Sequence, residues 1–309
     1  MDATRTADRE VVRERFTAMG THAEVQVVDG PRELLAEARA RIDRLEDRWS
    51  RFRPDSDTSR LNDAAGHWVD VAPETLLLLQ KAVLGAEATD GRFDPTVGAA
   101  VVSHGYDRTF AEVAAHAAAL VPEPMVDGSW PLIEVDVDRG RARLPEGTRF
   151  DPGGVGKGLA ADVVTAALAE EAPGLLVNLG GDLRAVGRAP DEAGWVITVD
   201  DPLHEGRELA RLAIPEGAVA TSSTQRRRWT TATGPAHHLI DPRTGRPAEV
   251  PVASLTVVAA EAWWAEVQAT SLLLGGPEGM AQADGSVEAL MVLLDGTTVA
   301  TPAFEAVLP

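Results

Sequence analysis

Residues 151–158 read Asp-Pro-Gly-Gly-Val-Gly-Lys-Gly and lead directly into a helical pattern, Leu159 to Ala169. Glycines let a backbone approach a ligand closely, and a helix start offers free N–H groups and positive potential. Lys157 adds a formal charge at the same place. Types and spacing together point to a phosphorylated ligand. Of the 29 basic residues in the chain, only Lys81 and Lys157 are lysines. A lysine retained inside the glycine loop suggests that a compact ammonium is wanted there, not a planar guanidinium fork. Lys81 reads as an ordinary helix-surface residue, so chance retention is the alternative.

Glu266 and Thr270 stand four apart in a helical stretch, which puts both oxygens on one face. A carboxylate and a hydroxyl are hard ligands suited to Mg²⁺ with waters and phosphate oxygens. The plainer reading is a surface glutamate and a threonine bonded to its own i−4 carbonyl. His237 and His238 precede Leu239-Ile240-Asp241-Pro242-Arg243-Thr244-Gly245, whose last five residues spell a turn. A histidine there can serve as base or ligand, and one of the two can equally be structural. Asn178-Leu-Gly-Gly-Asp182 reads as a strand ending in a tight glycine turn, for topology or for ligand approach. Arg226–Arg228 with Trp229 either holds a phosphate or stacks on a base, or forms a solvated strand face. A P-loop is disfavoured, because Asp151 and Gly158 stand where that motif needs glycine and Ser/Thr. No strand–GxGxxG–helix unit supports a dinucleotide fingerprint.

The net charge of −19, with no basic run longer than Arg226–Arg228, argues against general nucleic-acid binding. The absence of cysteine removes disulfides, thiolate zinc sites and cysteine nucleophiles. The polar stretch Met1–Glu10 has no apolar signal core, and no run approaches a membrane span. The expectation is a cytoplasmic protein without a membrane span.

The elements that must carry these groups mix helix and strand without strict βαβ alternation, which favours α+β. A flexible segment is expected over 1–15 and a single domain over 16–309. The late alternation of Ala23, Val25 and Val27 makes a strand after Met19-Gly20-Thr21. Pro31 to Phe52 is an amphipathic helix and Pro73 to Thr89 a second. Residues 108–130 carry a short helix and a proline-rich loop, and two short strands flank Asp138-Arg-Gly140. Strands follow at Gly174–Leu179, Trp195–Val199, Ala218–Ser222 and Leu255–Ala259. A helix is expected over Glu261–Leu274, stopped by two glycines, then a hairpin around Asp295-Gly296.

In this order the segments resemble the ApbE-like family of FAD:protein FMN transferases. The resemblance rests on Met19-Gly-Thr21, Trp49–Ser56 with Ser59–Asn62, Gly91–Gly98, Asp151–Gly158, Asn178–Asp182, Ala220–Ser222, His238–Gly245 and Ala265–Thr270. It implies mixed and antiparallel sheets with packed helices in a T-fold-like architecture. It also implies a reaction in which FAD is bound with Mg²⁺, a threonine hydroxyl of an acceptor protein attacks the FMN-side phosphorus, and AMP leaves. The acceptor would carry an FMN-binding domain. By position, Met19, Phe52, Arg92, Phe93, Asp94, Asp151, Lys157 and Ile240 match flavin-nucleotide contacts. Gly154, Glu266 and Thr270 match metal ligands, and His238 matches a histidine near the attacking hydroxyl. Lys157 would add charge neutralisation during the reaction. The chain departs from the pattern with Glu266 where aspartate is usual, Phe52 where a stacking tyrosine is usual, and Ser223 where glycine is common. Rival readings are an FAD pyrophosphatase giving FMN and AMP, and an FAD-binding protein without turnover.

Overall fold

The computed structural model describes residues 9–116, 121–123, 125–283 and 285–306. Eight strands of these residues form one sheet: β1 (Val11–Ala18), β2 (Thr21–Val28), β3 (Gly174–Leu179), β4 (Asp182–Gly187), β5 (Gly217–Ser223), β6 (Val252–Ala259), β7 (Glu288–Leu293) and β8 (Thr298–Ala300). They lie side by side in chain order, and each neighbouring pair is antiparallel. This is a meander whose connections have been expanded, and the expansions carry the chemistry.

Period-two alternation sends the strand side chains to two faces. On β3, Leu175, Val177 and Leu179 join the larger core, while Leu176 joins the smaller one behind the sheet. The larger core is closed by four helices: α1 (Glu33–Trp49), α2 (Pro73–Ala88), α3 (Gly156–Leu168) and α4 (Ala262–Leu274). Helix α1 buries Leu34, Leu35, Ala38, Ile42, Leu45 and Trp49, the stripe its sequence spacing dictates. Helix α4 is buried almost all round and lies between the sheet, α3 and α2. The smaller core is covered by the hairpin Trp195–Asp200 with Glu208–Ile214, through Trp195, Leu212 and Ile214. Leu255 lies in the centre of β6 with none of its surface exposed, and its truncation to alanine should cost about 2–5 kcal/mol.

The α+β class and the expected elements are present, with ends shifted by a few residues. The N-terminus differs. The sheet begins at Val11, so residues 11–15 are strand and not a segment outside the domain; residues 1–8 lie outside the described part. The reason is local. Met19 and Gly20 both have positive φ, 50° and 67°, and form the two-residue turn that pairs Val11 with Val28. The strand Glu208–Ile214 and the hairpin Arg228–Thr231 with Gly234–His237 go beyond the sequence expectations. Within 108–130 the expected helix is Phe110–His116, and residues 117–120 and 124 lie outside the described part. No helix among the described residues is long and apolar enough to cross a membrane.

Candidate active site

The glycine loop folds as the sequence implies, although packing also constrains its glycines. Asp151 accepts a hydrogen bond from the Gly153 N–H at 2.8 Å and opens a short 3₁₀ turn, Pro152–Gly154. Helix α3 then starts at Gly156, so Lys157 and Gly158 belong to its first turn. A Cβ on Gly158 would sit 2.3 Å from the Ala262 carbonyl oxygen, so α3 meets the start of α4 with no room for a side chain. A Cβ on Gly154 would lie 2.9 Å from the Phe93 ring and 3.6 Å from the Thr270 hydroxyl.

The two helices cap each other. Asp162 of α3 accepts from the Ala262 and Trp263 N–H groups at 2.9 and 2.8 Å, at the start of α4. Glu266 of α4 accepts from the Gly158 N–H at 2.8 Å, at the start of α3. The helix starts favour negative charge, although burial outweighs this at Asp162 and pushes its carboxyl up to about 6. The second oxygen of Glu266 takes the Lys157 ammonium, which also lies 2.5 Å from Asp182 Oδ2. Burial opposes the Lys157 charge, but the two carboxylates outweigh it and raise its pKa. Burial pushes the Glu266 carboxyl up to about 7, against the pull of Lys157. One turn further along α4, the Thr270 hydroxyl lies 3.1 Å from that of Ser222 on β5.

The structure separates the two histidines. His237 donates from Nε2 to the Ala248 carbonyl at 3.1 Å and accepts the Leu239 N–H at Nδ1 at 3.3 Å. Both its ring nitrogens are therefore engaged by backbone groups beyond the hairpin. His238 Nδ1 is buried and has no partner. Burial holds the His238 pKa well below the ordinary imidazole value, and the charges of Arg227, His237, Lys157 and Arg51 add to this. The ring is therefore neutral at pH 7, in a cationic neighbourhood and with Nδ1 unpartnered.

Another wall comes from the loop after α1. Asp151 Oδ2 pairs with Arg51 Nε at 3.2 Å. The Arg51 guanidinium stacks over the rings of Phe52 and Tyr106, at 4.3 and 4.5 Å from their centroids. Phe52 is 37% exposed and presents a ring at the surface. Met19 sits on the β1–β2 turn, half-buried, and donates its N–H to Glu46 at 2.7 Å. Arg92 is half-buried on the loop after α2.

The expected residues thus fall into two groups. Gly154, Lys157, Glu266 and Thr270 come together, with Asp151 one short turn away and His238 within Coulombic reach. Phe93, Asp94 and Ile240 point inward. Phe93 packs beneath Gly154. Asp94 accepts from the Thr96 N–H and hydroxyl in its own loop. Ile240 packs with Trp229 and Tyr106 in a separate apolar cluster. Asp182, Ser222, Arg51 and Tyr106 complete the site without having been singled out from sequence. Asp182, Ser222 and Arg51 lie in segments already noted; what joins them is long-range packing. Among the described residues no three acidic or imidazole side chains form a ready-made metal cage.

The profile of the ApbE family matches residues 19–291, and the chain belongs to that family. It is 28% identical over 286 residues to the FAD:protein FMN transferase of Vibrio cholerae serotype O1, covering 89% of this chain and 85% of that protein. The crystal structure of the ApbE protein from Thermotoga maritima superposes with a TM-score of 0.86 at 26% identity, covering 97% of this chain and 100% of the other. The flavin transferase ApbE from Vibrio cholerae superposes with a TM-score of 0.77 at 24% identity and, over 97% of this chain and 100% of that one, shares the fold.

Proposed function

We propose that this protein transfers the FMN half of FAD to a threonine hydroxyl of an acceptor protein and releases AMP. The carrying observation is the Lys157 ammonium set between Glu266 and Asp182 at a helix start, within reach of an unpartnered His238 nitrogen. Attack on a diphosphate needs charge neutralisation more than covalent chemistry. The name of the Vibrio cholerae relative, FAD:protein FMN transferase, supports transfer of FMN from FAD to a protein.

In this reading the helix α3 start and Lys157 bind the diphosphate. Asp151, Met19, Phe52 and Arg92 line the flavin and nucleotide. Phe93, Asp94 and Ile240 have their side chains turned inward, so they shape the cradle and leave main-chain atoms for ligand contact. His238 accepts the proton of the threonine hydroxyl as its oxygen bonds to the FMN phosphorus. The bond from that phosphorus to the bridging oxygen breaks, and AMP carries the electron pair away. The donor set of Glu266, the Thr270 hydroxyl and the Gly154 carbonyl suits Mg²⁺, which accepts few protein oxygens and keeps waters. Bound there, the ion would supply Lewis-acid neutralisation of phosphate oxygens. Lys157 would then release Glu266 and stay tethered through Asp182.

The test is incubation with FAD, Mg²⁺ and a protein bearing an FMN-binding domain, read by intact mass and by AMP release. The expected result is an FMN-sized mass gain on one threonine with equal AMP. Free FMN and AMP without an adduct would identify a hydrolase instead.

A further inference from the structure

Arg227 has the backbone of a glycine, with φ at 49°. Left-handed backbone costs a non-glycine residue roughly 1 kcal/mol or more, and such strain persists where the surroundings demand the side chain. Arg227 is half-buried, and no hydrogen bond or ion pair to its guanidinium is present among the described residues. Its neighbours behave differently: Arg226 is exposed, and Arg228 donates to Gln225 at 3.1 Å.

The strand ladder explains where Arg227 lies. Arg228 pairs with His237 as the last rung of the hairpin, and Arg227 and His238 are the residues just beyond that rung on the two chain segments. The lysine and the other arginine that act on His238 have carboxylate partners, Lys157 with Asp182 and Glu266, and Arg51 with Asp151. Among the described residues, Arg227 therefore faces His238 with no carboxylate partner of its own. We propose that Arg227 is a catalytic residue that binds the FAD diphosphate and neutralises the charge developing on the transferred phosphoryl group. This rests on the flavin-transfer reading of the same site. The Arg227 charge adds to the lowering of the His238 pKa, as a guanidinium within Coulombic reach of that ring would. A planar fork with several donors suits two adjacent phosphate groups.

The strain supplies the test. Arg227→Gly places at this position the residue its backbone prefers. Melting temperature, FAD and riboflavin affinity by fluorescence quenching, and AMP release with acceptor are measured for wild type, Arg227→Gly and Arg227→Lys. The expected glycine variant melts no lower than wild type, binds FAD about tenfold more weakly, and binds riboflavin unchanged. Its turnover at saturating FAD falls by about 10²–10³-fold, as for loss of one charge-stabilising donor. Lysine restores part of the affinity and little of the turnover. A glycine variant that binds and turns over FAD like wild type, or that melts several degrees lower, overturns the assignment. If wild type binds FAD but transfers nothing, the transfer reading and the catalytic role both fail, and weakened FAD binding in the variant would mark an anion-binding residue only. If wild type binds no FAD, both fail outright.

Discussion

Helices α3 and α4 cap each other with buried carboxylates, yet the two caps differ in what they can do. Asp162 gives both oxygens to backbone N–H groups of α4, with Arg184 3.6 Å away. Neither amide can leave without unravelling the helix start. Glu266 gives only one oxygen to a backbone amide; the other holds Lys157, whose long stem can move. The His237–His238 pair repeats the contrast, with one ring spent on the backbone and one carrying a free nitrogen. In both pairs, groups fully engaged by the backbone build the frame, and a side chain with an exchangeable or absent partner is left for chemistry.

The largest expected effects test the exchangeable members. His238→Ala should lower transfer roughly 10²–10⁴-fold, the usual range for losing a general base, and leave the fold intact by circular dichroism. Inactivity in His237→Ala instead would reverse the pair. Glu266→Ala should lower turnover about 10²–10³-fold and change FAD affinity less than tenfold, because its main task is in the transition state. Full activity of that variant, or of wild type in excess EDTA, would remove the metal reading. Glu266→Asp should be tolerated, keeping the carboxylate on the same helix face.

The spent members should show up in stability. Asp162→Ala orphans two buried amides and should cost about 1–3 kcal/mol in denaturant melts, with per-molecule turnover little changed at saturating FAD. His237→Ala should cost about 1 kcal/mol through its two backbone bonds. The last effect is in the pH dependence of stability. The folded His238 pKa lies below the unfolded value near 6.5, so the unfolded chain takes up a proton first as pH falls. The stability that neutral His238 provides is full above that value and is lost as pH drops below it. Melts from about pH 7 to about pH 5 should therefore fall more steeply for wild type than for His238→Asn, by at most about 1.4 kcal/mol per pH unit. Parallel curves would mean the ring is not held neutral.

Local rules made much of this protein legible in its sequence. Helix α1 follows from its apolar spacing, and the end of α4 from Gly275-Gly276. The shared face of Glu266 and Thr270 follows from a four-residue separation on a helix. The glycine loop at a helix start was likewise a local signal. The first five residues of β1 were not legible because it is an edge strand, where charged Arg13, Glu14 and Arg15 interrupt the apolar alternation. The site needed tertiary structure for a different reason. Lys157 meets Glu266 across 109 positions of chain, and Gly158 meets it across 108. No periodicity spans such a distance; only the packing of α3 against α4 and the sheet places those groups together. The sequence by itself determined which residue types were on hand and which short elements would carry them. The tertiary structure decided that Asp182 anchors Lys157, that His238 and not His237 keeps a free nitrogen, and that Arg227 lies within Coulombic reach of His238. Each of these depends on which distant segment reaches the same polar atom first, and that is fixed by packing.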